Sequence, residues 1–241
     1  MKTQIQQTIT FSAFNEQMAR RLFGLKQELK QNLLEEWEQK AEVTDITVEE
    51  QKTLDRLQAK LTLFVRSWNE EELKLKFIGP LIELVNFDDY ELEVVAFSER
   101  PMGIVFPKAK IEVKGVVDLM VARGISHPEQ PFFFIHEYKR EKDNSGDPLG
   151  QLLSTMFVAK ELNKRVKPLT LFRTAEEQQK LTNIPLYGVY VLGRIWFFTV
   201  LKDQTYYLSK SYDSTDRADL QQIFKLLKSQ KEMIMGLVRE K

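Results

Sequence analysis

The residues best placed to do chemistry lie in GVVDLMVARGISHPEQPFFFIHEYKREK, residues 115–142. Two apolar runs flank a loop rich in Gly, Ser and Pro, Gly124–Pro131, which predicts an antiparallel hairpin. Centring that loop between His127 and Pro128 pairs Asp118 with Glu137, Met120 with Ile135 and Ala122 with Phe133. Directly opposed residues share a face of the sheet, with Cβ atoms about 4.5–5.5 Å apart. Glu137 and Lys139, two apart on one strand, share that face as well. Two carboxylates and an ammonium are therefore expected at one end of two buried strands. Charges beside FFFI and VVDLMV need a partner, water or a metal. Carboxylates without imidazole or thiolate suit a hard cation ligated by oxygen, Mg²⁺ or Mn²⁺. A lysine beside it can hold an attacking water or offset charge on a phosphorane-like transition state.

The pattern Glu-x-Lys recurs in a chain with 35 acidic and 35 basic residues, so its context decides. At Glu28/Lys30, Glu38/Lys40, Glu50/Lys52 and Glu72/Lys74 it falls on or beside helical stretches, where such pairs diverge. Glu112/Lys114 lies on a strand, but in KAKIEVK, whose alternation marks a solvated face. A structural salt bridge is the competing account of Glu137/Lys139. Glu83 is the lone charge in FIGPLIELVNF, residues 77–87, a turn apolar nearly all round and expected to be buried. It should face a cation there, or else pair with a distant Arg. Gln151, one turn into the next helix, can reach Lys139, a water or a phosphate. Lys139, Arg140, Lys142, Lys160, Lys164, Arg165 and Lys167 form the candidate phosphate-binding set. His136 is expected in the core and His127 in a turn.

These groups need a scaffold. From Phe14 to Trp37, and again from Leu54 to Trp68, apolar residues recur at three- and four-residue spacings, predicting two helices. Thr47 and Glu50 form a capping box for the second. The expected unit, residues 1–70, is a helical hairpin packed on the core, with a homodimer seam as the alternative. From Tyr90 the period becomes two. Strands are predicted at Tyr90–Phe97, Lys110–Arg123, Phe132–Lys139, Leu186–Leu192, Ile195–Leu201 and Thr205–Leu208. A helix from Pro148, capped by Asp147, runs to about Asn163, and a last helix spans about Thr215 to Leu237. Residues 71–241 thus read as an α/β domain with a mixed central sheet flanked by helices. The absence of Cys excludes disulfides, thiolate zinc sites and a thiol nucleophile. Zero formal net charge confines any nucleic-acid contact to a local patch or a small footprint. MKTQIQQTIT lacks the apolar core of a signal peptide, and IWFFTV is too short to span a bilayer. A cytoplasmic protein without a membrane partner is expected.

Taken in order, Glu83, Gly115-Val-Val-Asp118, Glu137-Tyr-Lys139 and Gln151 resemble the PD-(D/E)xK nuclease superfamily, over roughly residues 75–200. The resemblance implies a restriction-endonuclease-like core and Mg²⁺- or Mn²⁺-dependent hydrolysis of nucleic acid, DNA more than RNA. It assigns the metal to Asp118, Glu137 and the backbone carbonyl of Tyr138, with Glu83 assisting directly or through water. It gives the nucleophilic water to Lys139 and its orientation to Gln151. Val117 stands where many members have Pro. Thr155 stands where many have Tyr, which leaves the substrate contacts of that helix open. A catalytically silent module binding nucleic acid or protein, and a helical interaction protein with its apolar stripes exposed, are the rival functions.

Overall fold

Alternating apolar residues from Val94 onward build one mixed sheet covered by helices on both faces. The computed structural model describes residues 5–30, 32–141, 146–165 and 184–239. Strands β3 (Val94–Phe106), β4 (Ile111–Arg123) and β5 (Glu129–Lys139) pair antiparallel in sequence. Strand β6 (Leu186–Leu192) lies parallel to β5, and a parallel neighbour requires a crossover; helix α6 (Pro148–Asn163) lies within it. Strands β7 (Ile195–Lys202) and β8 (Thr205–Leu208) continue as a meander.

The segment before residue 70 departs from a simple hairpin. Helix α1 (Glu16–Phe23) stops at Gly24, whose φ of 68° is the left-handed conformation of a helix C-cap. Strand β1 (Gln7–Thr10) joins β4 in parallel, and β2 (Lys26–Gln27) joins β8 in parallel. Helix α2 (Asn32–Glu42) then starts on the other face of the sheet. The continuous periodicity through Leu25 and Leu29 was therefore misleading. Leu25 is buried beside α1, whereas Leu29 is exposed. Helix α3 (Val48–Phe64) starts at the Thr47/Glu50 capping box, as expected. Helices α2 and α3 both rest on the last helix, α7 (Arg217–Arg239), through Trp37–Leu226, Gln51–Gln221 and Glu50–Lys228 hydrogen bonds. Leu34, Trp37, Leu54, Leu57, Leu61 and Trp68 are buried within the chain. Leu22, Leu29 and Phe64 of the same stripes are exposed.

Two apolar layers result. One lies under α2, α3, α5 (Gly79–Val85) and α7. The other lies under α1 and α6, where the Phe23 and Phe157 rings stack with centroids 4.3 Å apart. Helix α6 is enclosed between the sheet and α1, so it is buried almost all round. A side chain at Gly150 would collide with the backbone of Asn15 and Glu16, so only glycine allows this crossing. Asp147 fastens the junction: Oδ1 accepts from Leu149 N and Gly150 N, and Oδ2 accepts from Glu16 N.

Candidate functional site

The site forms where β4 loses its regular alternation. Val113 and Val117 face the α6 layer, yet Leu119 and Val121 face the opposite layer, while Met120 and Ala122 face α6. A strict two-residue period places Val117 and Leu119 on one face, so the phase changes at Asp118. Strand β3 changes phase at the same level, between Phe97 and Met102, where Glu99 has a left-handed φ of 51°. The flanking pairs, Ser98 with Leu119 and Arg100 with Val117, set Glu99 opposite Asp118. On the other side, the β4–β5 ladder pairs Met120 with Ile135, as predicted, and ends at Leu119–His136. A bulge near the loop pairs Ala122 with Phe132 instead of Phe133. Beyond Leu119 the Asp118 carboxylate replaces the main chain as acceptor, Oδ2 taking the Tyr138 N–H at 2.8 Å.

A short helix completes the cluster. Asn69 and Glu72 form a capping box that starts α4 (Glu70–Leu73). A wide π-helical turn, Lys74–Ile78, follows before α5. Such turns are often found at functional sites. Lys74 Nζ lies 2.8 Å from Asp118 Oδ1, 2.9 Å from Glu99 and 3.1 Å from Glu70. Lys139 Nζ lies 2.8 Å from Glu137 and 3.8 Å from the other oxygen of Glu70. Asp118, Lys74, Glu70, Lys139 and Glu137 therefore form a chain of alternating charge, with Glu99 at its rim. Counting Glu71 at 3.8 Å from Lys74, five carboxyl groups face two ammonium groups.

Burial and the crowding of like charges govern ionisation here. Glu137 is only 3% exposed; burial, reinforced by Asp118, pushes its carboxyl up to about 8 despite the Lys139 ion pair. Burial pulls down on Lys139 and Lys74, but the surrounding carboxylates prevail and hold both ammoniums above the ordinary lysine value. Both lysines stay charged. Asp118, Glu137 and Glu70 bring carboxyl oxygens, the donor type that hard divalent cations take, into one cluster. The lysines nevertheless stand between them, and among the described residues no three acidic or histidine side chains are grouped to hold a metal ion.

Glu83 needs correction. Leu81, Ile82 and Val85 face the core, while Gly79 and Glu83, four residues apart, occupy the exposed stripe of α5. The turn is amphipathic where it was expected to be buried all round, and Glu83 has no ion pair with the cluster. The helical carboxylate of the site is Glu70. It was missed because NEEELK reads as a solvated charge run at the boundary drawn near residue 70. Asn69 ahead of Glu72 and the Glu70/Lys74 spacing of four were the available signals. Gln151 is buried on α6, its carbonyl accepting from Ser154 and Thr155.

The basic set is divided. Arg140 and Lys164 are exposed, the latter paired with Glu161. Lys160 is buried and donates to the Asp203 carbonyl, so it is held inside the fold and not offered to solvent. Lys142 and Lys167 lie outside the described residues. Glu112 and Lys114 pair at 2.8 Å on a partly exposed face shared with Thr8, as expected of a solvated pair. His136 is buried and neutral, its ionisation pushed down to about 3 by burial, with Nδ1 2.7 Å from the Tyr138 hydroxyl. No helix among the described residues is long and apolar enough to cross a membrane. Neither a protein-family model nor a curated protein sequence matches this chain.

Proposed function

We propose that this protein is a Mg²⁺- or Mn²⁺-dependent nuclease, hydrolysing phosphodiester bonds of nucleic acid, DNA more than RNA, on a restriction-endonuclease-like core. The observation that carries the reading is the alternating chain Asp118–Lys74–Glu70–Lys139–Glu137 where the β4–β5 ladder ends, with its excess of carboxyl groups. The β5–α6–β6 crossover and the order of the motif along the sequence support the family resemblance. Asp118 and Glu137, with the Tyr138 carbonyl, would hold the ion. Once bound, the ion would polarise a phosphoryl oxygen and favour ionised water as nucleophile.

The remaining work falls to the chain's own groups. Lys139, fixed between Glu137 and Glu70, orients the attacking water and offsets charge developing on the phosphoryl oxygens. Glu70 takes the part that the resemblance assigns to Glu83 and positions Lys139. Gln151 steadies the lysine or the substrate from α6. Arg140 and Lys164 offer exposed charge to flanking phosphates.

A second reading, a silent module that binds nucleic acid or protein, is favoured by two observations: Lys74 already neutralises Asp118, and the net charge is zero. Cleavage of assorted DNA and RNA with Mg²⁺ or Mn²⁺ separates the two. Wild type should cut, and Asp118→Ala and Lys139→Ala should each slow cutting by about 10²–10³-fold or more, the usual range for loss of one group that stabilises transition-state charge. Equal cleavage in all three proteins rejects the site. Binding without cleavage by wild type selects the silent module.

A further inference from the structure

We propose that the Lys74 ammonium is a built-in rival for the cation, held on Asp118 and displaced when a divalent ion binds. The inference rests on the metal-dependent reading above and adds a means of controlling it. The ammonium is in hydrogen-bond or ion-pair reach of Asp118, Glu99 and Glu70, and its side chain is only 17% exposed. It lies on Asp118 Oδ1, while Oδ2 is engaged by the Tyr138 N–H, so both oxygens of that carboxylate are taken. A cation on Asp118 would lie beside the Lys74 ammonium and be repelled by it, and that repulsion is relieved by moving either a backbone donor that fixes the strands or a side chain that can swing away. The side chain is the softer of the two. A lysine stem has four rotatable carbons, and Glu71, at 3.8 Å, offers a partner further out on the same helix.

The arrangement also selects by charge. A monovalent ion that replaces one ammonium leaves the net charge of the cluster unchanged and forfeits three contacts. A divalent ion adds one positive charge more, where carboxyl groups outnumber ammonium groups. Lys74 should accordingly weaken all cation binding but leave Mg²⁺ and Mn²⁺ the effective ligands.

Mn²⁺ titration of the full chain by calorimetry tests this, with Lys74→Met, Lys74→Gln and the charge-conserving Lys74→Arg beside wild type. Removing the ammonium should tighten Mn²⁺ binding about tenfold or more, the equivalent of one lost ion pair, and Lys74→Arg should stay near wild type. A measurement on wild type needs no variant: acetylation of Lys74 by acetic anhydride, read by mass spectrometry, should rise several-fold at saturating Mg²⁺. Equal or weaker Mn²⁺ binding in Lys74→Met and Lys74→Gln, or unchanged labelling of Lys74 while Mg²⁺ binds, overturns the rivalry and leaves the metal-dependent reading intact. Failure of wild type and variants alike to bind Mn²⁺ overturns both.

Discussion

Glu137 shows how a single side chain can carry the tension of a site. Its carboxyl is buried and faces Asp118, and the one close ammonium, Lys139, does not offset both. Folding raises its pKa from 4.5 to about 8, so the folded state favours the protonated form. Stability from this group is full below pH 4.5 and is lost as pH rises to 8. His136 acts in the opposite sense. Folding lowers it from 6.5 to about 3, so its contribution is full above 6.5 and is lost as pH falls towards 3. The two slopes oppose each other between 4.5 and 6.5, and of the pair only Glu137 acts from 6.5 to 8. Wild type should therefore lose on the order of 2 kcal/mol between pH 6.5 and 8, a drop of a few degrees in Tm. Glu137→Gln should flatten that interval in thermal melts; an unchanged slope in the variant would assign it to other groups.

Among the elements, α4 is short and depends on its cap. One turn of helix has little intrinsic stability, so the Asn69/Glu72 capping box and packing of Leu73 hold it in place. Through that turn Glu70 and Lys74 reach β4 and β5. Asn69→Ala should destabilise the protein by about 1 kcal/mol in chemical denaturation, the usual loss for a polar N-cap. It should also weaken Mn²⁺ binding, because the helix that presents Glu70 frays. Stability lost without any change in metal affinity would separate α4 from the site. The paired irregularities in β3 and β4 do the complementary work: Glu99 and Asp118 sit where both strands change phase, and both carboxylates meet Lys74 there.

At the scale of the whole molecule, the chain before residue 70 is part of the sheet and of both apolar layers. Trp37 is its deepest anchor. It is fully buried, packs edge-on against Phe134, Tyr187 and Phe198, and donates from Nε1 to the Leu226 carbonyl. Trp37→Ala should lower the unfolding free energy by about 3–5 kcal/mol, the range for removal of a buried aromatic. Because Trp37 joins α2, the sheet and α7, the loss should appear as an earlier cooperative transition of the whole chain. An N-terminal phase melting by itself, with the sheet unaffected, would restore the picture of a separable extension.

The hydrophobic pattern by itself determined much of this protein: the strands from β4 to β8, the Asp147–Pro148 start of α6, the capping box of α3 and the Met120–Ile135 register. These features follow from local chemistry, alternation and turn residues, which a linear reading can see. The juxtaposition of Asp118 with the Glu137–Lys139 strand was legible for the same reason, since a hairpin is a nearly local object. Tertiary structure decided the rest. Gly24 broke a periodicity that looked continuous, because α1 and α2 serve opposite faces of one sheet. Glu83 points outward because helix rotation is fixed by what packs beneath it, and the exposed stripe of α5 runs through Gly79 and Glu83, while Glu70 meets Lys74 and Lys139. Lys74 reached Asp118, 44 residues away, only because a capped turn, a π-helical segment and a kink in the sheet meet at one point. Spacing along a chain records which groups share a face; which faces meet is settled when the layers close.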